Sequence, residues 1–145
     1  VEMAATGTIT VAAATDTLLG SLTGVFFTDA NTSKPTFANH LDASNAATDI
    51  KGFVADDPYE RFEVQADGAT AAADVGLNAD IVYAAGSSPD YVSKVELQTS
   101  DQKTGTAQLR ILGISKDPDN NTAGSANVNL VVMINEHFLK GTTGI

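Results

Sequence analysis

Val128-Asn129-Leu130-Val131-Val132-Met133-Ile134 (VNLVVMI) is the stretch on which the fold turns. Val128, Leu130, Val132 and Ile134 recur at every second residue, which places them on one face of an extended strand. Val131 and Met133 make the opposite face apolar as well, the pattern of a central strand with neighbours on both sides. Upstream, Ala107, Leu109 and Ile111 alternate with Gln108 and Arg110, and Leu112 and Ile114 then add apolar character to both faces. Phe62, Val64 and Ala66 alternate with Arg61, Glu63 and Gln65, a half-buried strand with one wet face. Val95 and Leu97 alternate with Lys94, Glu96 and Gln98.

Shorter signals fill the remainder. Leu18–Thr28 (LLGSLTGVFFT) is strongly apolar, and Gly20 and Gly24 break it into two short strands or one bulged strand. Gly52–Ala55 and Asp80–Ala84 read as strands, and Thr6–Val11 (TGTITV) as a strand or an extended arm. Turn chemistry separates them at Asp29–Ser33, Asp56-Asp57-Pro58, Asp67-Gly68, Gly86–Asp90 and Lys116–Gly124. Ala69–Ala73 has room for one helical turn, and no segment carries a helical stripe long enough for a substantial helix. From Phe37 to Asp49 the chain is polar and rich in Ala and Asn, and it reads as a long surface loop suited to contacts. About eight short strands joined by turns predict an all-β fold, a small antiparallel β-sandwich or barrel with long loops and an extended N-terminal arm. Residues 1–17 form the arm or first strand, and 18–145 a single β domain.

Composition bounds the function. A chain of 145 residues can bury roughly 68–70% of its unfolded surface, enough for a core without cross-links. The absence of cysteine removes disulfides, thiolate metal sites and thiol nucleophiles together. The 18 acids outnumber the 8 bases, for a net charge of −10. Lys34, Lys51, Arg61, Lys94, Lys103, Arg110, Lys116 and Lys140 are scattered singly, so a nucleic-acid partner is not expected. Apolar runs reach only four or five residues, and no membrane partner is expected either. The chain opens on Val1 without an initiator Met, which leaves room for upstream residues, and its start lacks the pattern of a signal peptide.

Candidate chemistry is sparse. There is no nucleophile elbow and no phosphate loop. His40, in the predicted loop, and His137, just past the last strong strand, are the only histidines, so a hydrolase would have to assemble its site across the fold. Asp117, Asp119 and Asn121 have the spacing that opens a calcium loop. Pro118 intrudes, however, Thr122 stands where the loop needs glycine, and Val128 stands where it needs a bidentate Glu. The acids between Asp56 and Asp80 read as a solvated face. No cofactor, metal or enzymatic activity is therefore expected, and the remaining class is a protein that works through its surface. The contact candidates are Thr8, Ile9, Thr10 and Val11 in the arm, Phe37, Asn39 and His40 in the loop, and Asp117 and Asn120 in the long C-terminal turn.

A series of strings carries a resemblance over roughly residues 24–137. They are Gly24–Asp29 (GVFFTD), Lys34-Pro35-Thr36, Phe53–Pro58 (FVADDP), Phe62–Asp67 (FEVQAD) and Val75–Asp80 (VGLNAD). Ser93–Leu97 (SKVEL), Thr106–Gly113 (TAQLRILG), Pro118–Asn120 (PDN) and Ile134–His137 (INEH) come after them along the chain. In this order the set resembles the capsid decoration, or cement, proteins of tailed bacteriophages. The resemblance implies a virion protein on the outer capsid surface that binds the major capsid protein and bridges capsomers. Its partners would also include neighbouring copies of itself, in a homo-oligomer for which the family suggests a trimer. A negative body suits the outside of a shell filled with DNA, and many copies would add avidity to weak contacts. The alternative is an adhesive, glycan-binding β-domain of a phage tail, a fibre or a pilus.

Overall fold

The computed structural model describes residues 1–42 and 44–141; the last residues of the expected β domain, 142–145, lie outside that range. The strands are β1 (Glu2–Met3), β2 (Ile9–Thr10), β3 (Ser21–Thr28), β4 (Pro35–Ala38), β5 (Lys51–Ala55), β6 (Arg61–Gln65), β7 (Asn78–Ala79), β8 (Ile81–Val82), β9 (Glu96–Leu97), β10 (Leu109–Ile114) and β11 (Asn129–Ile134). Helical structure among the described residues is limited to three single 3₁₀ turns, one of them at Ala72–Asp74 within the expected Ala-rich segment. The fold is all-β, and among the described residues no sheet closes into a barrel, consistent with a small antiparallel β-sandwich.

The largest sheet has the order β6-β11-β10-β7. Strand β11 is interior, as its two apolar faces require. The register aligns Phe62, Val132 and Ile111 across three strands, and Val64, Leu130 and Ile114 beside them. Cross-strand packing of β-branched and aromatic side chains stabilises such rows. Ile111, Leu130 and Val132 are almost completely buried. The apolar pattern on both faces after Ile111 has a local cause, because β10 bulges between Ile111 and Gly113. The extra residue, Leu112, breaks the alternation and re-aims the side chains of the residues beyond it.

The core lies between one face of this sheet and a cover built from β8, β9 and the N-terminal segment. Ile81 and Leu97, paired across β8 and β9, join Ala12 and Leu18 in the same buried cluster. The strand expected over Asp80–Ala84 is shorter, Ile81–Val82, and Asp80 lies between it and β7. The buried Asp80 carboxylate accepts from the Gln108 amide at 3.0 Å and from Lys103 Nζ at 3.2 Å. Both bonds join Asp80 to residues more than twenty positions away and fix the corner between β7 and β8.

Residues 1–17, expected as an arm or a first strand, contain two strands of two residues each. β1 and β2 pair into a small ribbon, and Glu2 bridges to Leu18. The Val1 ammonium donates to the Gly20 carbonyl at 2.8 Å. Gln108 fixes the segment from the far side. Its buried carboxamide Nε2 donates to the carbonyls of Ala13 and Asp16, each at 2.8 Å. Its Oε1 accepts from the Ile81 amide at 3.0 Å. Buried polar groups left without partners cost about 1–3 kcal/mol each. Gln108→Leu, of similar size but unable to bond, is therefore expected to lower stability by about 2–3 kcal/mol. Denaturant unfolding measures the loss, and hydrogen exchange at Ile81 should accelerate with it.

Candidate interaction surface

The second sheet, of order β4-β3-β5, has both outer strands unpaired on their far sides among the described residues. Its inner face carries Val25 and Phe27, both buried. The Ile9 side chain lies over Gly52 and beside Leu22 on this face, in space that a Cβ at residue 52 would occupy. The sheet therefore needs Gly at that position, and the N-terminal ribbon docks there.

The outer face is different. Register pairs Phe26 with Phe37 and Lys51, and Gly24 with Phe53. Alternation then sets Phe26, Phe37, Lys51 and Phe53 on one side. Phe37 is 64% exposed and Phe53 49%, and their ring centroids lie 5.7 Å apart at a tilted angle. That separation is favourable for an aromatic pair. The Phe37 ring lies across Gly24, whose missing side chain makes room for it. Two large rings are thus held in a fixed arrangement while facing solvent.

The long β4–β5 connection extends this surface. His40 stacks on Tyr91 with centroids 3.9 Å apart and planes 11° from parallel. His40 Nδ1 pairs with Asn39 Oδ1 at 2.7 Å, and Asn39 Nδ2 donates to the Asp90 carbonyl at 3.2 Å. These contacts tie the loop to the 86–94 segment. Leu41 and Ile50, also in this connection, are exposed apolar residues.

Acids mark one end of the sheet. Asp29 accepts from the Thr32 amide and hydroxyl and from the Asn31 amide. Asp42 accepts from the Ser44 hydroxyl and amide. Asp49 accepts from the Thr28 hydroxyl at 2.7 Å and amide at 3.0 Å. These bonds hold all three carboxyls below the usual carboxylate range, because each favours the ionised form. Asp29 and Asp42 line a cleft of about 260 Å³ together with Asn31 and Asn45.

The structure brings some of the expected contact residues together and separates others. Phe37, Asn39 and His40 share one region, but Phe37 belongs to strand β4 and not to the loop expected over residues 37–49. Its short strand is held by pairing with the preceding strand β3 across the Asp29–Lys34 turn, while its own four residues, opened by Pro35, carry little strand pattern. Thr8, Thr10 and Val11 are exposed, whereas Ile9 is half-buried against Gly52. Asp117 accepts from the Asp119 amide at 3.1 Å, the bonding of an ordinary Asx turn. Asn120 is committed internally: its Nδ2 donates to Asn129 Oδ1 at 3.1 Å, and its carbonyl accepts from the Asn129 amide at 3.0 Å. Asn121 is exposed. Among the described residues no three His, Asp or Glu side chains stand together as a metal-binding group. Phe53 was not among the expected contact residues, yet a signal was present. Lys51 and Phe53 are two apart in a strand, so the lysine marks the face of Phe53 as wet.

His137 sits elsewhere, buried at the C-terminal end. Its Nδ1 accepts from the Leu139 amide at 3.0 Å. The neutral ring therefore carries its proton on Nε2, which has no hydrogen-bond partner among the described residues. Neither histidine hydrogen-bonds a hydroxyl or a carboxylate among the described residues.

No protein-family model, curated protein or solved structure matches the chain.

The titration of His137 is the testable feature. Burial and then the charge of Lys140 lower its pKa, with Asp56 and Asp57 pulling the other way. A lowered folded value means that the unfolded chain binds the proton first, so stability should fall as pH drops below the ordinary 6.5. His137→Gln should flatten that part of a stability–pH curve. The further loss below the ordinary carboxyl value of 3.8, from Asp29, Asp42 and Asp49, should remain.

Proposed function

We propose that the protein is a bacteriophage virion component, a decoration protein that binds the outer surface of the capsid shell and bridges capsomers. The observation that carries this reading is the exposed Phe37–Phe53 pair on a sheet with two open edges. Exposed, well-ordered aromatic clusters favour protein contact, and aromatic residues dominate the energetics of interfaces. An open edge can also accept an added strand from a partner.

Further support comes from where the resemblance falls. The strings GVFFTD, FEVQAD and TAQLRILG lie largely on β3, β6 and β10, and FVADDP runs from the end of β5 into the turn after it, so that all four overlap strands of the two main sheets. The net charge of −10 favours the outside of a shell over contact with packaged DNA. A shell presents its sites many times in fixed geometry, so modest individual contacts add through avidity, including contacts between neighbouring copies.

Quantitative mass spectrometry of purified virions tests the reading. The expected result is a copy number in fixed proportion to capsid subunits, with density on the outer shell by electron cryomicroscopy. A handful of copies, or none, would overturn it, and reproducible binding on a glycan array would favour the adhesive alternative. Phe37→Ser and Phe53→Ser together should reduce shell occupancy about tenfold or more, while the fold persists with a stability loss of about the 0.5–1.5 kcal/mol of an aromatic pair.

A further inference from the structure

We infer that the outer face of the β4-β3-β5 sheet docks a different protein, one presenting an apolar centre flanked by lysine or arginine side chains. This rests on the reading that the face is a contact surface, but not on the partner being a capsid. The charge distribution carries it. β3, β4 and β5 contain no Asp or Glu and a single base, Lys51, in a chain with 18 acids. The acids resume where the sheet stops: Asp29 after β3, Asp42 and Asp49 in the β4–β5 connection, and Asp56 and Asp57 after β5. Lys34, in the β3–β4 turn beside Asp29, is the one Lys or Arg among these bounding segments, so the result is an aromatic centre with a predominantly negative rim. Interfaces combine a desolvated apolar core with a polar rim, and complementary rim charges guide and select the partner.

The rim is also pre-ordered. Asp29 and Asp42 are each held by hydroxyl and amide donors of their own turns, and Asp49 by the hydroxyl and amide of Thr28 at the end of β3. Little side-chain freedom would be lost on meeting a cation. The same rim excludes other occupants. In a face-to-face pair of copies the acidic rims would oppose each other, and like charges across an interface are costly. Nucleic acid and anionic lipid both present phosphate and are repelled.

The probe is a short extended peptide alternating lysine with leucine and phenylalanine, titrated into the isotopically labelled full chain and followed by NMR. A counterpart with glutamate for every lysine serves as control. The lysine peptide is expected to shift the resonances of β3, β4, β5 and the 39–50 connection. Its affinity should fall about tenfold or more between ~50 and ~500 mM salt as the rim charges are screened. The glutamate peptide should leave the spectrum unchanged. Phe37→Ser with Phe53→Ser should abolish the shifts while the spectrum stays dispersed, and Asp29→Asn with Asp49→Asn should weaken binding and reduce its salt dependence. Equal binding of both peptides, or shifts elsewhere on the surface, would overturn the inference. So would a dimer, seen by analytical ultracentrifugation, that the Phe37/Phe53 double variant dissociates. Virions lacking this chain would remove the capsid reading and leave the peptide result standing, while a face blind to the lysine peptide on a chain found in stoichiometric amounts on virions would do the reverse.

Discussion

The carboxamide of Gln108 is the constraint on which the rest of the structure depends. It is fully buried and makes three hydrogen bonds to main-chain groups. Two of its partners lie more than ninety residues away in the chain. Its own backbone is engaged as well, donating to Asp80 and accepting from Asn135. One residue therefore joins the N-terminal segment, the β7–β8 corner and the end of β11. Without it the stretch from Ala13 to Asp16, beside Ala12 and Leu18 in the cover over the core, would lose its side-chain anchor. A buried network of this kind is favourable only when every member is satisfied.

From this anchor the fold divides its labour. The β6-β11-β10-β7 sheet and its cover hold the main buried cluster. The β4-β3-β5 sheet has a smaller inner face, sealed in part by Ile9, and a wet aromatic outer face. The two regions meet at Leu18, Leu19 and Gly20, where the backbone bonds to both the N-terminal residue and the C-terminal segment. The arrangement suits a protein that presents a surface, because the stable part is separate from the part that stays exposed. Three of the acids bounding that surface, Asp29, Asp42 and Asp49, are fixed by hydroxyl and amide donors that favour their ionised form.

Much of the fold was legible in the sequence because it rests on period-two patterns. β11, β10 and β6 stand where alternation of Leu130, Val132, Leu109, Ile111, Phe62 and Val64 predicts them, and Gly24 marks a real irregularity, a bulge between Leu22 and Gly24. The hidden elements depend on distant partners. β7, two residues long, carries no pattern of its own and exists because β10 pairs with it, whereas β8 and β9 fall inside the strands read over Asp80–Ala84 and Lys94–Gln98 but are only two residues each. Phe37 looked like loop because Pro35 and a polar run surround it, yet pairing with β3 makes it a strand residue. Ile9 looked like a contact residue because the sequence does not show that Gly52 lies beneath it. The candidate surface was half readable: Phe37, Asn39 and His40 stand out by position, while Phe53 needed the face assignment supplied by Lys51.

The stitch at Leu18 has a mechanical consequence. Leu18 donates to the Glu136 carbonyl at 2.9 Å and accepts from the Phe138 amide at 2.8 Å, and the two segments run parallel. A pull that drags the N-terminal segment one way and the C-terminal segment the other loads both bonds side by side, in shear, so they must rupture together. A clasp of that geometry resists tension far better than one that unzips bond by bond.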